Sequence, residues 1–304
     1  MRGKINGRLI AAVIVAIILG FIINKNWATA TFLDSKNLST FIVVGVALGG
    51  IYAITASGLV VTYATTGIFN FAQAAIGCFL AFFYWQLTVK YHLPTVLAIA
   101  ITLLVVAPLI GFGLDRFIMR RLRDSALVVQ LMVTVGLMLT FMGITLTVWT
   151  PRTGRILPHF FENSKGVQIG DITATWHRII VVIVALLVAI GLRFLLYRTR
   201  LGISMRAVVD SRSLAGLVGA KPSIISGASW ALGCMMAGVA GILIAPETGL
   251  VVENLALIII TASAAAAIAQ LKSIPMAFVG GIVIGLAVAF SSVFLSFGSD
   301  FNYA

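Results

Sequence analysis

The sequence predicts an all-α protein, a polytopic bundle of helices that spans a membrane. Its mean hydropathy is +1.11, and 61% of its residues are hydrophobic. Only 10% are charged, whereas roughly 25% are charged in a soluble domain. Apolar runs of about 20 residues, the length that a helix needs to cross roughly 30 Å of hydrocarbon, recur along the chain.

Nine apolar runs are predicted to be transmembrane helices. Pro94, Pro222 and Pro275 stand at or next to three of the predicted helix starts, where a missing N–H costs nothing. In chain order, the predicted spans cover residues 9–23, 41–63, 67–89, 95–114, 126–149, 179–197, 223–245, 254–270 and 275–296.

The distribution of basic residues predicts the orientation. Lys and Arg near span ends are retained on the cytoplasmic side, and with a cytoplasmic N-terminus the inner segments carry fourteen of the 21 such residues. The net charge of +12 then follows from topology and needs no nucleic-acid partner. We therefore expect a multi-pass membrane protein with the basic segment 198–224 in the cytoplasm.

Both ends of the chain bear on the number of spans. Met1–Arg8 is basic, Leu9–Ile23 is apolar and Ala28–Ala30 has the form of a signal-peptidase site, so residues 1–36 are an extra first span or a cleaved signal. The apolar core is at the long end for a signal, which favours an uncleaved span. Nine spans that start inside put Ala304 outside, and we expect a tenth span beyond it, in a longer or fused chain.

The polar residues argue against a catalytic or ion-coupled protein. All nine Asp and Glu residues lie in predicted loops or at span ends, whereas a charge kept inside the membrane costs about 2.5–3.5 kcal/mol and marks a function. His92, His159 and His177 fall in predicted outer loops, as solvated or interfacial residues. No catalytic cluster, metal-ligand spacing or phosphate-binding loop is visible. We expect a non-enzyme without a cofactor, which would take energy for uphill transport from another polypeptide.

Small residues recur every four positions in two of the predicted spans. Such spacing lets helix backbones approach closely in lipid, so it predicts a compact bundle. The residues are Gly45, Gly49, Ala53 and Ser57 in the second span, and Gly281 and Gly285 in the last.

Two unpaired amides stand between the second and third spans, in TTGIFNFAQAAIG (65–77). At the edge of hydrocarbon an unsatisfied amide costs several kcal/mol, so Asn70 and Gln73 either bond to backbone and close the loop or line a wet path. Gly67 and Gly77 would allow the turn or broken helix that transporters use near their pathway.

The basic segment 198–220 also has two interpretations. At helical spacing it has a short apolar stripe, so it is an amphipathic helix on anionic lipid or, because Ala215 and Gly219 offer a small-residue surface, a helix that docks a partner. The stripe consists of Val208, Leu214, Ala215, Leu217 and Val218.

This segment, RTRLGISMRAVVDSRSLAGLVGA, resembles the cytoplasmic loop of ABC-importer permeases for branched-chain amino acids, in the hydrophobic amino acid uptake family. That loop has the form R-x-G-x-x-x-R-A, followed by E-A-A-x-x-x-G. Ser213 and Leu214 replace its Glu and first Ala. The matching residues are Arg200, Gly202, Arg206, Ala207, Arg212, Ala215, Leu217 and Gly219.

The resemblance extends, in order, over about residues 41–300. GGIYA (49–53) with Gly58-Leu59 is similar to the family's G-x-x-Y-A-L-x-x-x-G-L, and NFAQ (70–73) to its N-F-A-H. Ser273-Ile274-Pro275 matches an S-I-P at the start of a span. One departure is Ala269-Gln270, where the family usually has paired glycines.

The resemblance implies one permease domain over residues 1–304, with residues 198–222 as the cytoplasmic coupling loop and Tyr52, Asn70 and Gln73 as candidate pathway or gating residues. Its implied partners are cytoplasmic ABC ATPase subunits, a second permease subunit, an extracytoplasmic solute-binding protein and the lipid bilayer. Branched-chain amino acids are the expected solutes, and the plasma (inner) membrane is the implied location. A permease for urea or short amides and an ion-coupled secondary carrier are the alternatives.

Overall fold

The computed structural model describes residues 35–123, 125–150, 155–161, 166–169, 172–210 and 221–294. Within these residues, six helices are long and apolar enough to cross a membrane, and three shorter helices accompany them. The helices are α1 (Ser35–Thr66), α2 (Gln73–Trp85), α3 (Thr95–Leu122), α4 (Leu127–Val148), α5 (Trp176–Arg198), α6 (Arg200–Asp210), α7 (Pro222–Thr248), α8 (Val252–Ile268) and α9 (Ile274–Phe294).

Three elements depart from regular α-helix. A π-helical turn, Gln86–Lys90, extends α2, and α3 contains two more, at Ile101–Val106 and Asp115–Met119. Between α4 and α5 the chain forms an antiparallel hairpin of β1 (Val167–Ile169) and β2 (Ile172–Ala174).

Each predicted span within the described residues corresponds to a helix. The 67–89 span is shorter than predicted, because the chain turns at 67–72 before α2 begins at Gln73. The 9–23 span and the Ala28–Ala30 site lie outside the described residues. Three helices extend beyond their predicted spans: α1 begins at Ser35 instead of 41, α3 continues past residue 114 to Leu122, and α5 begins at Trp176 instead of 179. The extensions of α3 and α5 place Asp115 and His177 inside helices, whereas the sequence had placed them at a span end and in a loop.

Helices α1 and α7 form the centre of the bundle. In their most apolar stretches 72% and 83% of residues are buried, compared with 11–33% in the other four long helices. The small residues of α1 pack on α9: a Cβ on Gly49 would lie 2.7 Å from Ile282 Cα, and one on Gly281 would lie 2.6 Å from Ala53 Cα. The small-residue spacing therefore marks a close helix contact, as predicted.

Contacts between elements group the helix ends into two sets. One set joins the ends of α3 and α6 to the start of α7, and we call it the inner end, after the predicted orientation. The other joins the start of α5 to the end of α7, and we call it the outer end. At the outer end the Leu250 N–H donates to the Arg155 carbonyl oxygen over 3.3 Å, so the loops after α4 and α7 meet there.

Candidate functional site

At the inner end a buried carboxylate joins α3 to α7. Asp115 is fully buried, and its Oδ2 lies 2.8 Å from Nε of Arg120. The Ser226 hydroxyl donates to Asp115 Oδ1, and Arg123 Nη2 lies 3.5 Å from the same oxygen. Arg120 also donates through Nη2 to the Ser223 carbonyl oxygen, 2.9 Å away, in the first turn of α7. We call Asp115, Arg120, Arg123 and Ser226 the inner-end clamp.

The inner-end clamp was missed by the sequence reasoning. A buried charge is kept where partners and hydrogen bonds satisfy it, and the DRFIMRRLR pattern (115–123) places two of the arginines one and two turns after the aspartate. That spacing was the available signal. The serine is 111 positions away in the chain and had no signal of its own.

The two amides of the α1–α2 turn are buried and paired. Asn70 Nδ2 donates to Gln73 Oε1 over 3.1 Å, and Gln73 Nε2 donates to the Gly233 carbonyl oxygen over 2.8 Å. Asn70 Oδ1 accepts from the Ala72 N–H, as in an Asx turn. These bonds tie the turn to the middle of α7. Such bonds were expected if the two amides close the loop. The pathway role of Asn70, Gln73 and the buried Tyr52 stays a prediction.

The first half of the predicted coupling loop is a helix folded back on α5. Thr199 ends α5, and its hydroxyl accepts a hydrogen bond from the Gly202 N–H over 3.1 Å. A Cβ on Gly202 would overlap the Leu195 carbonyl group, so this close approach requires glycine. Met205 and Val208 are buried against Ile225 and neighbouring apolar residues. Val208 therefore packs inside the protein and does not face lipid.

The opposite face of α6 is open. Arg200, Ile203 and Arg206 are exposed on this face, with Ile203 at 52%, whereas Leu201, at 38%, lies one turn before the buried Met205 on the packed side of the helix. The Arg206 guanidinium lies 4.4 Å from the centroid of the Tyr197 ring, a cation–π contact that holds it near α5. Ala207 is half-buried beside the docked face. The remaining predicted coupling residues, Arg212, Ala215, Leu217 and Gly219, lie outside the described residues.

At the outer end His177 is buried within α5, and the prediction of a solvated or interfacial side chain in a loop was wrong. Its Nε2 donates to the Leu243 carbonyl oxygen of α7 over 2.9 Å, while His159 and Phe160 pack on its ring. The next residue, Arg178, pairs with Glu247 through Nε–Oε1 and Nη2–Oε2 distances of 3.2 and 3.3 Å. His92, by contrast, is exposed, as predicted.

Comparison with known families shows which family this architecture belongs to. The family described as branched-chain amino acid transport system / permease component matches residues 41–303. The chain belongs to this family. The permease is therefore a multi-pass membrane protein of the ABC-importer permease class, and its nine described helices and strand hairpin lie within or next to the matched range.

Individual relatives agree with the family. The permease is 26% identical over 262 residues to the high-affinity branched-chain amino acid transport system permease protein BraD of Pseudomonas aeruginosa, covering 83% of this chain and 85% of the relative. It is 26% identical to LivH of Escherichia coli over 83% and 85% of the two chains. With a probable LivH of Methanocaldococcus jannaschii the identity is 29%, over 82% and 80%. No solved structure matches the permease.

Proposed function

We propose that the permease forms the translocation pathway of an ABC importer for branched-chain or closely related small neutral amino acids. A soluble extracytoplasmic binding protein delivers the solute, and a separate cytoplasmic ATPase drives the cycle. The names of the relatives, all branched-chain amino acid transport permeases, support this solute class. The whole chain then acts as one permease domain.

The observation that carries the proposal is the exposed face of α6. Arg200 and Arg206 supply positive charge there, while Ile203 between them supplies apolar surface. A helix that lay on anionic lipid would turn its apolar stripe outward, but the most apolar face of α6 is already buried on α5 and α7. The mixed basic and apolar face that is left suits a protein groove, because interface cores combine apolar contacts with Arg.

The packing of α6 also gives it a route to the bundle. Its buried face contacts Ile225 and Ala228 of α7, which lie beside Ser226 of the inner-end clamp. A displacement of α6 by an ATPase would therefore reach the central helix α7 through direct side-chain contacts. Helix α7 in turn holds the α1–α2 turn through Gly233.

The test is co-purification of the permease with its ATPase from native membranes, followed by ATP-driven leucine uptake in proteoliposomes that contain the binding protein. Ile203→Glu places a charge in the centre of the open face, and we expect it to lose the ATPase and the uptake. The matched control is Val167→Glu, which adds the same charge to an exposed β-branched residue of the β hairpin at the other end. An intact wild-type preparation without an ATPase, or normal coupling of Ile203→Glu, would contradict the proposal.

A further inference from the structure

A cavity lies at the outer end, between the first half of α1, the start of α5 and the end of α7. Its volume is about 190 Å³. Most of its lining is aliphatic, and two of its residues carry opposite charges. The lining residues are Val44, Ala47, Leu48, Ile51, Arg178, Val181, Glu247 and Thr248.

The cavity, with its charged edge included, is large enough for a short aliphatic chain. A cavity of about 150 Å³ lined by aliphatic and aromatic residues stays dry and accepts benzene. The present cavity exceeds that volume, and the side chain of leucine, isoleucine or valine has fewer heavy atoms than benzene. Ala47, Ile51 and Val181 are each 5% exposed or less, so they form a desolvated wall for such a side chain.

The charged part of the cavity presents one cation and one anion at its edge. Arg178 and Glu247 form a two-point pair with distances of 3.2 and 3.3 Å. Their side chains keep 27% and 24% of their exposure, so both reach solvent. A partly exposed ion pair contributes little to stability, and a ligand that carries both charges replaces each partner with an equivalent one.

The backbone on both sides of the pair is fixed by other contacts. His177, adjacent to Arg178, is bonded to the Leu243 carbonyl oxygen one turn before Glu247. The rings of His159 and Phe160 pack on it from the outer loop. A buried hydrogen bond therefore fixes the backbones that carry the two charged residues, while the side chains themselves can turn toward a ligand; this is the support that a binding site requires.

We propose that this cavity is a binding site for an aliphatic amino acid in its zwitterionic form. The ligand carboxylate binds Arg178, its ammonium group binds Glu247, and its side chain enters the wall formed by Ala47, Ile51 and Val181. The inference rests on the proposed function, because it places a site for the transported solute class at the outer end of the permease. It adds the residues that recognise the head group and the side chain.

This site makes separate demands on each part of the ligand. Removing either charge leaves one protein charge without its new partner, so 3-methylbutan-1-amine and 4-methylpentanoate, which each keep one charge of leucine, should bind weakly. Glycine keeps both charges but leaves the apolar wall empty. Specificity for leucine over all three analogues is therefore the signature of the site.

The experiment is equilibrium binding of radiolabelled leucine to the purified permease–ATPase complex, without the binding protein, with the three analogues as competitors. We expect Arg178→Gln and Glu247→Gln each to raise the Kd for leucine at least tenfold. Leu48→Phe, which fills the cavity from a half-buried position, should weaken the binding of leucine more than the binding of glycine. The matched control is Lys90→Gln, which removes an exposed outer-end cation that does not line the cavity.

The outcomes separate this inference from the proposed function. A complex that imports leucine with its binding protein but binds none without it, or binds it equally well with Arg178→Gln and Leu48→Phe, overturns the site and leaves the importer intact. Equal competition by leucine and by 3-methylbutan-1-amine in the wild-type complex overturns it as well, and needs no variant. A wild-type complex that fails to import any amino acid overturns the proposed function itself.

Discussion

The carboxylate of Asp115 lies 2.8 Å from the guanidinium of Arg120 while being wholly buried. Such a carboxylate depends on its partners, because removing one partner of a buried ion pair lowers the stability of the protein by several kcal/mol. The same arginine reaches the backbone of Ser223, so a single side chain connects the buried anion of α3 to the first turn of α7. The ends of the two helices are thus held together at the side of the bundle where α6 packs.

We expect Asp115→Asn to lower the free energy of unfolding by about 2–3 kcal/mol. This is at or below the usual range for a broken buried pair, since the Arg120 side chain remains 32% exposed and is hydrated in part. Thermal denaturation in detergent measures the change. Arg116→Gln, which removes an exposed charge from the same helix, serves as the control. An equal loss of stability in both variants would show that the inner-end clamp contributes no more than a surface charge.

Gln73→Leu tests the amide bridge of the α1–α2 turn. The substitution leaves the Asn70 amide and the Gly233 carbonyl oxygen buried without their present partner, at about 1–3 kcal/mol for each group. The thermal midpoint should fall, whereas Gln168→Leu, on an exposed strand position, should leave it unchanged. A Gln73→Leu protein with normal stability and lost transport would instead favour the pathway role.

Gly49→Val should separate α1 from α9. The added side chain meets the Ile282 backbone at 2.7 Å, and an overpacked core site costs about 1–3 kcal/mol. Gly191→Ala provides the contrast, because a Cβ there meets nothing within 4 Å and alanine favours the helix. Fluorescence-detected size-exclusion chromatography after heating ranks the two variants, and equal survival would contradict the close packing.

Gln270→Gly should stabilise the permease. Gln270 is exposed and has a φ of +52°, in the left-handed region that costs a non-glycine residue roughly 1 kcal/mol. Ala269, its neighbour, has a φ of −76°, so Ala269→Gly should destabilise by about 0.5–1 kcal/mol through added chain entropy. Opposite signs in thermal denaturation are expected for the pair, and two losses of the same size would refute the argument.

The sequence predicted the spans well because hydrophobic length is a local property. The eight apolar runs from residue 41 onward are long enough to be recognised as helices from the sequence alone. The spacing of Gly45, Gly49 and Ala53 predicted a packing face. The predicted end of the fourth span was placed before its first charged residue, Asp115, and this was wrong. The burial of that charge depends on Ser226, which is distant in sequence. The prediction for His177 was wrong for the same reason, since its partner is a backbone carbonyl oxygen of α7, which the identity of a side chain does not reveal.

The cavity was beyond sequence reasoning for a related reason. Arg178 and Glu247 each lie near a predicted span end, where a charge is ordinary, and nothing in the chain shows that they meet over the aliphatic residues of α1. The coupling role of segment 198–222, in contrast, could be proposed from the sequence because its residues are contiguous. Its helix from Arg200 to Asp210 is present, and the requirement for glycine at 202 has a direct steric cause.

The packing of α1 against α9 has a consequence for biosynthesis. Gly49 and Ile282 touch in the folded permease, but more than two hundred residues separate them, which takes roughly 10–50 s to synthesise at 5–20 residues per second. During that time the small-residue face of α1 is in the membrane without its final neighbour. Helix α1 therefore completes its packing only after α9 has been inserted, and a ribosome stalled before that point would hold a nascent chain whose central helix is still open to lipid or to the insertion machinery.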